Sequence, residues 1–199
     1  FSYDKVGNVT QKTYPNDTFE KYEYDACNRL VKATNVYGAV TTYKYDYLGR
    51  CTKITDHNSN SVSSVYDDKG NVTSIIDAKN NKYEFEYDYN GNQTKAKYPN
   101  GSIFETIYDA RGRLTSEKDA YGNVTSYSYD GLDRLVSITD AEGGIWRYTY
   151  DELGNVSRIT DAKGKVTQFN YEFVDDGVLL TVTNAAKKTA TTKYDLHGR

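Results

Sequence analysis

The stretch Tyr108-Asp109-Ala110-Arg111-Gly112-Arg113-Leu114 joins a tyrosine–aspartate pair to a short turn that closes in Gly-Arg. The pair recurs every 21 residues, and only the last step is longer, because Tyr194 follows Tyr171 by 23 residues. A fixed period of this length is typical of repeat proteins, whose small units stack on their neighbours. We therefore predict one array of about nine repeats over residues 1–199, with no separate domain. The pairs begin at Tyr3, Tyr24, Tyr45, Tyr66, Tyr87, Tyr108, Tyr129 and Tyr150, whereas Tyr171 precedes Glu172.

Each repeat contains two turn signals of the same chemical type. The first turn follows the tyrosine directly, as in Asp109-Ala110-Arg111-Gly112, and the second comes half a repeat later, as in Asp119-Ala120-Tyr121-Gly122. Asp at the first turn position accepts a backbone hydrogen bond, and Gly at the fourth takes the left-handed conformation at little cost. These features predict tight hairpin turns followed by a bulge. Asn28 and Asn80 are predicted to take the left-handed position where glycine is missing.

Two segments of six or seven residues, rich in Thr, Val, Ile and Tyr, separate the turns and read as strands. In the second segment aromatic and polar residues alternate, as in Tyr148-Thr149-Tyr150, which predicts one aromatic face and one polar face. Leu135 and Ile138, like Ile145 and Tyr148, lie three residues apart, which simple alternation cannot place on one face. A bulge in each strand or apolar residues on both faces would explain this spacing.

Two reversing turns in each repeat predict an all-β chain of antiparallel hairpins, a meander that curls into a spiral ribbon or shell segment. A single hairpin is marginally stable, so we expect stability to come from tyrosines stacked between neighbouring repeats. A parallel β-helix is the alternative architecture. The structural repeat residues are Tyr24, Asp25, Tyr45, Asp46, Gly49, Arg50, Tyr66, Asp67, Gly70, Tyr87, Asp88, Gly91, Tyr108, Asp109, Gly112, Arg113, Tyr129, Asp130, Arg134, Tyr150, Asp151 and Gly154.

Three places depart from the pattern. The turn Asp56-His57-Asn58-Ser59-Asn60 lacks glycine, and Ser64 replaces the aromatic partner beside it, which predicts a mobile loop with looser packing. The two inserted residues after Tyr171 predict longer strands or a register shift. Cys51 stands where other repeats carry Val or Leu and is interpreted as a small buried hydrophobe; a disulfide with Cys27 is disfavoured by their different repeat positions.

Composition and motifs argue against several functions. Lys and Arg number 25 against 28 Asp and Glu, and the signs are interspersed, so nucleic acid is not an expected partner. No apolar run approaches the roughly 20 residues needed to cross a bilayer. The two histidines, His57 and His197, lie in turns of distant repeats, so we predict no enzyme activity and no cofactor. Single turn aspartates are too few for a calcium site, and no metal is expected.

Two further patterns have a structural and a functional interpretation. The triplet Asn123-Val124-Thr125 and its equivalents would suit glycosylation, but they fall at one repeat position after a turn glycine, where the fold itself explains them. Tyrosines could stack on sugars if exposed, although their regular recurrence favours packing between repeats. Neither end of the chain departs from the repeat pattern, and its last residues, His197-Gly198-Arg199, are predicted to close a turn. We expect an excerpt of a longer protein.

The chain resembles the YD-repeat, or Rhs-repeat, family, whose units read Tyr-x-Tyr-Asp-x-x-Gly-Arg-Leu. The match is close in Tyr43-Lys44-Tyr45-Asp46-Tyr47-Leu48-Gly49-Arg50, and in Tyr127-Ser128-Tyr129-Asp130-Gly131-Leu132-Asp133-Arg134-Leu135, where Asp133 replaces the usual Gly. The resemblance implies a spiral of hairpins that forms the wall of a hollow shell, as in bacterial Rhs and wall-associated polymorphic toxins, insecticidal toxin-complex C components and the animal teneurins. No stretch matches the self-cleaving region that ends such shells.

From this resemblance we expect a non-catalytic structural segment of a large bacterial protein, secreted or attached to the cell surface or cell wall. Its partners would be the remainder of its own chain, including further repeats and a C-terminal toxin or other cargo that the shell encapsulates or presents. The alternative is a module that binds carbohydrate or another cell surface, with cell-wall carbohydrate as partner. Insertion of this segment into a membrane is not expected.

Overall fold

The computed structural model describes residues 1–195 and residue 197. These residues form nineteen strands joined by turns and no helix, so the all-β prediction is confirmed. The predicted closure of a turn at Gly198 and Arg199 lies outside them. The strands are β1 Ser2–Tyr3, β2 Val9–Thr13, β3 Phe19–Tyr24, β4 Leu30–Thr34, β5 Val40–Tyr45, β6 Cys51–Thr55, β7 Ser61–Tyr66, β8 Val72–Ile76, β9 Lys82–Tyr87, β10 Gln93–Lys97, β11 Ile103–Tyr108, β12 Leu114–Lys118, β13 Val124–Tyr129, β14 Leu135–Thr139, β15 Ile145–Tyr150, β16 Val156–Thr160, β17 Val166–Val174, β18 Gly177–Thr183 and β19 Thr189–Asp195.

The chain forms two compact units, the first spanning Phe1–Ile103 and the second beginning at Phe104. In the first unit, β1 to β10 pair in sequence order, and every pair is antiparallel. In the second unit, β11 to β19 do the same. Consecutive antiparallel pairing confirms the hairpin meander and excludes the parallel β-helix.

A bulge beside the first turn explains the first irregular apolar spacing, and it recurs in the repeats before β17. Tyr129 pairs with Leu135 and Ser128 pairs with Ser137, which leaves Val136 as the extra residue. Leu135 and Ile138 therefore share the aromatic face although they lie three residues apart. The second irregular spacing has the other predicted cause. The register of β15 is continuous from Ile145 to Thr149, so Ile145 lies on the polar face and Tyr148 on the aromatic face.

The turns have the predicted geometry. In the turn after Tyr108, the Asp109 N–H donates to Arg113 O at 2.9 Å, and the Gly112 N–H donates to Asp109 O at 2.9 Å. Gly112 has a φ of 80°, in the left-handed region that favours glycine. The same two backbone bonds close the second turns, such as Asp119–Asn123. Six other residues take left-handed φ values between 60° and 66°, including the predicted Asn28 and Asn80: Asp17, Asn28, Ser59, Asn80, Asp133 and Lys187.

The turn at residues 56–60 has the same backbone hydrogen bonds as the turns that contain glycine. The Asp56 N–H donates to Asn60 O at 2.9 Å, and Asp56 Oδ1 accepts the N–H groups of Asn58 and Asn60. Ser59 takes the left-handed position with a φ of 66°. A serine in the glycine position therefore leaves these hydrogen bonds in place, and the mobile loop with looser packing stays a prediction.

The two inserted residues lengthen the last strands. Strand β17 has nine residues, and β18 and β19 have seven each, so longer strands are confirmed. Both pairs keep a continuous register without a bulge, and Asp175 and Asp176 alone separate the paired residues Val174 and Gly177. A Cβ atom at Gly177 would lie 1.9 Å from Tyr194 O, so close approach of β19 requires glycine there.

Neither unit encloses a conventional core among the described residues. Ala96, 6% exposed, is the one buried hydrophobic residue in that part of the chain, and no side chain there is less than 2% exposed. Cys51 is half-buried rather than buried, because β6 lies in a single layer, and neither it nor the exposed Cys27 forms a disulfide. Stability must therefore come from contacts along the sheet instead of from a second layer packed upon it.

Candidate functional site

The carboxylate of each first turn organises its own hairpin. Asp109 Oδ1 accepts the N–H groups of Arg111 and Arg113 at 2.9 and 3.0 Å, and Oδ2 accepts Arg113 Nε at 2.7 Å. The hydrogen bond from the Arg113 side chain holds the pKa of the Asp109 carboxyl below its ordinary value. The same arrangement recurs at Asp25, Asp46 and Asp130. We call these four the Arg-closed turns.

The arginine of an Arg-closed turn also contacts the next repeat. Arg50 Nη1 donates to Asp67 O at 2.6 Å, and its guanidinium lies 4.8 Å from the ring centre of Tyr66. Arg29 makes the equivalent hydrogen bond to Asp46 O at 3.0 Å. A planar guanidinium can donate in two directions while stacking on an aromatic face. One side chain thus joins two successive hairpins.

The repeat tyrosines form hydrogen bonds to the preceding repeat. The Tyr66 hydroxyl donates to Cys51 O at 2.8 Å, across 15 residues of sequence. Ring–ring contacts join Phe1 to Tyr3 and Tyr83 to Tyr98, and neither of them joins two repeat tyrosines. The predicted inter-repeat role of these residues is met through hydroxyls and guanidinium groups. Equivalent hydroxyl bonds are those of Tyr24 to Val9 O, Tyr45 to Leu30 O, Tyr87 to Val72 O, Tyr129 to Leu114 O and Tyr150 to Leu135 O.

Four first turns carry asparagine in place of the arginine, and we call them the Asn-closed turns. Asn71 Nδ2 donates to Asp67 Oδ2 at 2.9 Å, and this bond lowers the pKa of the Asp67 carboxyl. The shorter amide makes no hydrogen bond to Asp88. In this turn Lys69 makes the side-chain hydrogen bond to the next repeat instead, because Lys69 Nζ donates to Tyr89 O at 2.6 Å. The Asn-closed turns begin at Asp4, Asp67, Asp88 and Asp151.

The predicted repeat residues occupy fixed places in this arrangement. Every repeat tyrosine from Tyr24 to Tyr150 is the last residue of its strand, and the aspartate after it begins the turn. Asp133 takes the left-handed position that glycine holds in the turn 109–113. The sequence did not reveal that arginine reaches the next repeat. Its signal was the arginine four residues after the aspartate, at Arg29, Arg50, Arg113 and Arg134.

Comparison with known families accounts for most of the chain. The model of the teneurin YD-shell matches residues 1–106, just over half of the 199 residues. The chain belongs to the teneurin YD-shell family. The RHS repeat model matches residues 108–145 and 133–166, so repeats of this type continue into the second unit of this YD-shell chain as far as residue 166. No curated protein matches it.

Solved structures share the fold of this YD-shell chain. The crystal structure of TcdB2-TccC3 matches with a TM-score of 0.52 and 12% identity over 94% of this chain. The crystal structure of TcdB2-TccC3 without its hypervariable C-terminal region matches with a TM-score of 0.55 and 13% identity over 95% of this chain. The chain spans only 16% and 15% of the length of those two chains. At such low identity the likeness extends to the fold alone.

A second cluster of polar contacts lies at the start of the YD-shell chain, where two phenols share one carboxylate oxygen. Glu20 Oε2 accepts the hydroxyls of Tyr14 at 3.0 Å and Tyr22 at 2.8 Å. The bond to Glu20 raises the pKa of the Tyr22 phenol to about 12. In the second unit, burial and a hydrogen bond to Glu117 raise the pKa of Tyr127 to about 12. These tyrosines are therefore hydrogen-bond donors at neutral pH.

The histidines and the potential metal ligands of this YD-shell chain are spread apart in the part that the structure describes. His57 lies in a turn of the first unit and His197 follows the last strand of the second. No three His, Cys, Asp or Glu side chains of residues 1–195 and 197 are grouped to hold a metal ion. Over the same residues, no helix has the length and apolar character to span a bilayer.

Proposed function

We propose that this chain is a non-catalytic structural segment of a large bacterial protein, secreted or attached to the cell surface. Its hairpins would form part of a shell wall that encloses or presents a C-terminal toxin or another polypeptide of the same protein. The single observation that carries the proposal is the regular contact between repeats. The Tyr66 hydroxyl and the Arg50 guanidinium recur at equivalent positions in successive hairpins, where they bind main-chain carbonyls of the neighbouring repeat.

Such contacts suit a wall. Hydrogen bonds from side chains to main-chain carbonyls do not depend on which residues the neighbouring repeat carries, so successive units can vary in sequence while remaining joined. A wall one layer thick also leaves both faces available to other polypeptides, in keeping with the scarcity of buried side chains. One structural neighbour is described as having a hypervariable C-terminal region, which is the kind of segment that a constant wall could enclose.

The experiment uses the full-length protein that contains this chain. Limited proteolysis should cut the polypeptide that follows the repeats slowly when the wall is intact. Replacing Arg29, Arg50 and Arg113 together by asparagine should weaken the contacts between repeats and speed this cleavage. Cleavage of the wild-type protein at the rate measured for the isolated downstream polypeptide would refute enclosure.

Carbohydrate binding is the second candidate function, and one observation favours it. Tyr37, Tyr47, Tyr89 and Tyr121 lie on turns and are 88–92% exposed, unlike the half-buried repeat tyrosines. Exposed phenol rings suit stacking on sugar rings. A pull-down of the chain on purified cell-wall glycan tests this role. Loss of binding when these four tyrosines become serine, with retention in Tyr66→Phe, would support it, and equal binding by all variants would reject it.

A further inference from the structure

A cavity of about 440 Å³ in the second unit brings together cations from three segments of the chain. Arg158 projects from β16, Lys165 closes the turn before β17, and Lys187 lies in the turn between β18 and β19. Across the sheet, Gln168 pairs with both Arg158 and Thr183, which places these three residues in one row on the polar face. The cavity is large enough for a ligand of several polar groups.

The cations of this cavity lack the partners that other cations of the chain have. Arg29, Arg50 and Lys118 each form a salt bridge, whereas no side-chain salt bridge or hydrogen bond engages Arg158, Lys165 or Lys187 among the described residues. No Asp or Glu lines the cavity, whose other walls are Gly164, Val166, Gln168, Thr183, Asn184 and Ala185. Three unpaired cations around one concavity in a chain of net charge −3 leave a local excess of positive charge.

The turn at residues 184–188 combines an asparagine at its first position, as in the turn at Asn35, with a lysine in the left-handed position. Asn184 replaces the usual aspartate, although its Oδ1 still accepts the N–H groups of Ala186 and Lys188 at 3.0 Å each. Lys187 takes the left-handed position with a φ of 63°, where Gly122, Gly143 and Gly164 stand in neighbouring turns. A lysine is strained in that conformation, and such strain often marks a functional position.

One turn carboxylate, that of Asp161, lies beside the cavity, and it offsets at most one of the three cations. Asp161 Oδ1 is engaged by the main-chain N–H groups of Lys163 and Lys165 at 2.9 and 2.8 Å, within its own turn. Asp161 does not line the cavity of Arg158 and Lys187, but it lines an adjacent one together with Trp146 and Ile159, and Lys165 lines both cavities. The side of the sheet that carries Arg158 thus presents cations, amides and a hydroxyl, which are the groups that hold an oxyanion.

We propose that Arg158, Lys165 and Lys187 form a binding site for a multivalent oxyanion, a ligand bearing phosphate or sulfate groups. The guanidinium would bind one oxyanion in a bidentate manner, and the two ammonium groups would act as point charges on the remainder. Gln168 and Asn184 would donate further hydrogen bonds. This site is independent of the wall-forming role, because none of these residues takes part in the contacts between repeats described above.

The experiment is a titration of the ¹⁵N-labelled chain with inorganic tripolyphosphate, and in a second arm with inorganic sulfate, at 0.15 M ionic strength. Saturable shifts of the Gly164, Lys165 and Lys187 amide signals are expected with tripolyphosphate. A response to sulfate of equal affinity would identify a general oxyanion site, and a weaker one would identify a phosphate site. Absence of saturable binding in both arms would overturn the proposal.

Three variants separate the site from charge in general. Lys187→Gly should weaken tripolyphosphate binding about five-fold to ten-fold while raising Tm, because glycine relieves the left-handed strain. Arg158→Gln should weaken binding by a similar factor. Lys163→Gln is the matched control, since Lys163 lies in the same turn as Lys165 but does not line the cavity. Equal weakening in Lys163→Gln would show that net charge alone attracts the anion and would refute the site.

Discussion

The Arg-closed and Asn-closed turns have the same backbone conformation and differ in how far the closing side chain extends. In the turn at Asp46, as in the turn at Asp67, one carboxylate oxygen accepts two main-chain N–H groups and the other accepts the closing side chain. Arg50 also donates a hydrogen bond to Asp67 O in the next repeat, whereas the Asn71 amide donates only to Asp67 in its own turn. The aspartate therefore builds the hairpin, and the arginine joins one hairpin to the next.

This division of roles explains how the repeats can vary without losing the fold. Four turns lack the arginine, yet the strands that flank the turns at Asp67, Asp88 and Asp151 keep the same lengths and the same bulge as those of the Arg-closed turns. The tyrosine hydroxyl makes its bond in both classes, as Tyr66 after an Arg-closed turn and Tyr87 after an Asn-closed turn show. Contacts between repeats therefore consist of the tyrosine hydroxyl bond and a second contact that varies. The second contact comes from the guanidinium of Arg29, Arg50 or Arg113, or in two Asn-closed turns from Asn8 or Lys69.

Acidification tests the feature that both classes share, and it should have the largest effect. Hydrogen bonds from Arg113 or Asn71 depress the pKa of Asp109 and Asp67 in the folded chain below the ordinary 3.8. Their stabilisation is therefore complete above the unfolded pKa and is lost as pH falls through the folded pKa. We expect Tm to be constant from pH 7 to 5 and to fall steeply below pH 4, measured by circular dichroism.

Since many turns lose their carboxylate together, this fall should exceed that of any single substitution. Asp119→Asn is the control, because Asn35 Oδ1 already accepts two N–H groups in an equivalent second turn. The variant should fold at pH 7 and lose slightly less stability in acid. A Tm that stays constant down to pH 2 would contradict the role given to the carboxylates.

Valine at the turn glycines tests whether the backbone is the same in both classes. Gly112 in an Arg-closed turn and Gly70 in an Asn-closed turn have φ values of 80° and 95°. A β-branched residue there should cost roughly 1–2 kcal/mol of unfolding free energy in each variant, measured by urea denaturation. Gly131→Val is the control, since Gly131 is not left-handed and has open space around it. A much larger loss in one class would show that the two backbones differ.

The sequence predicted those features that depend on local chemistry. A period of 21, an aspartate and a glycine at fixed turn positions, and alternating aromatic residues sufficed for the strands, the turns and antiparallel pairing. The left-handed Asn28 followed from the same rule, whereas Ser59 did not, because serine has no strong preference for that conformation. The missing glycine at Asp56–Asn60 therefore did not predict that Ser59 would complete a turn of the usual geometry.

The contacts between repeats could be predicted only in part. Tyrosine recurrence indicated an inter-repeat role, but the direction of the hydroxyl toward a main-chain carbonyl 15 residues earlier depends on how one hairpin lies beside the next. Arg50 was recognised as a repeat residue, yet its reach to Asp67 O is a property of two hairpins together. The local conformational propensities of the two segments do not determine such long-range geometry.

Arg50→Asn converts one class into the other and should have an intermediate effect. The substitution keeps a donor for Asp46 but removes the bond to Asp67 O and the guanidinium over Tyr66. We expect a loss of about 1 kcal/mol, the usual net value of one hydrogen bond, from urea denaturation. Lys5→Asn removes the same charge from an exposed turn residue and should be neutral. If Arg50→Asn leaves the unfolding free energy unchanged, the arginine contact does not contribute to stability.

Asn71→Arg makes the opposite conversion and should have the smallest effect. Asn71 Oδ1 would lie 3.6 Å from a Cβ built on Gly91, just as Arg29 Nη1 would lie 3.7 Å from one built on Gly49. The two side chains thus point along the same path toward the next turn. An arginine at position 71 should reach Asp88 O and the ring of Tyr87, gaining about 0.5 kcal/mol in unfolding free energy.

The gain should stay below the loss in Arg50→Asn, because a new long side chain must be ordered. Asn71→Lys is the matched control, since it adds the charge without the planar fork that serves Asp67 and Asp88 together. If lysine stabilises as much as arginine, attraction between opposite charges would explain the gain. If arginine destabilises, Lys69 and its bond to Tyr89 O already fill the place that the guanidinium needs. The two classes would then be adapted alternatives that cannot be interchanged at a single residue.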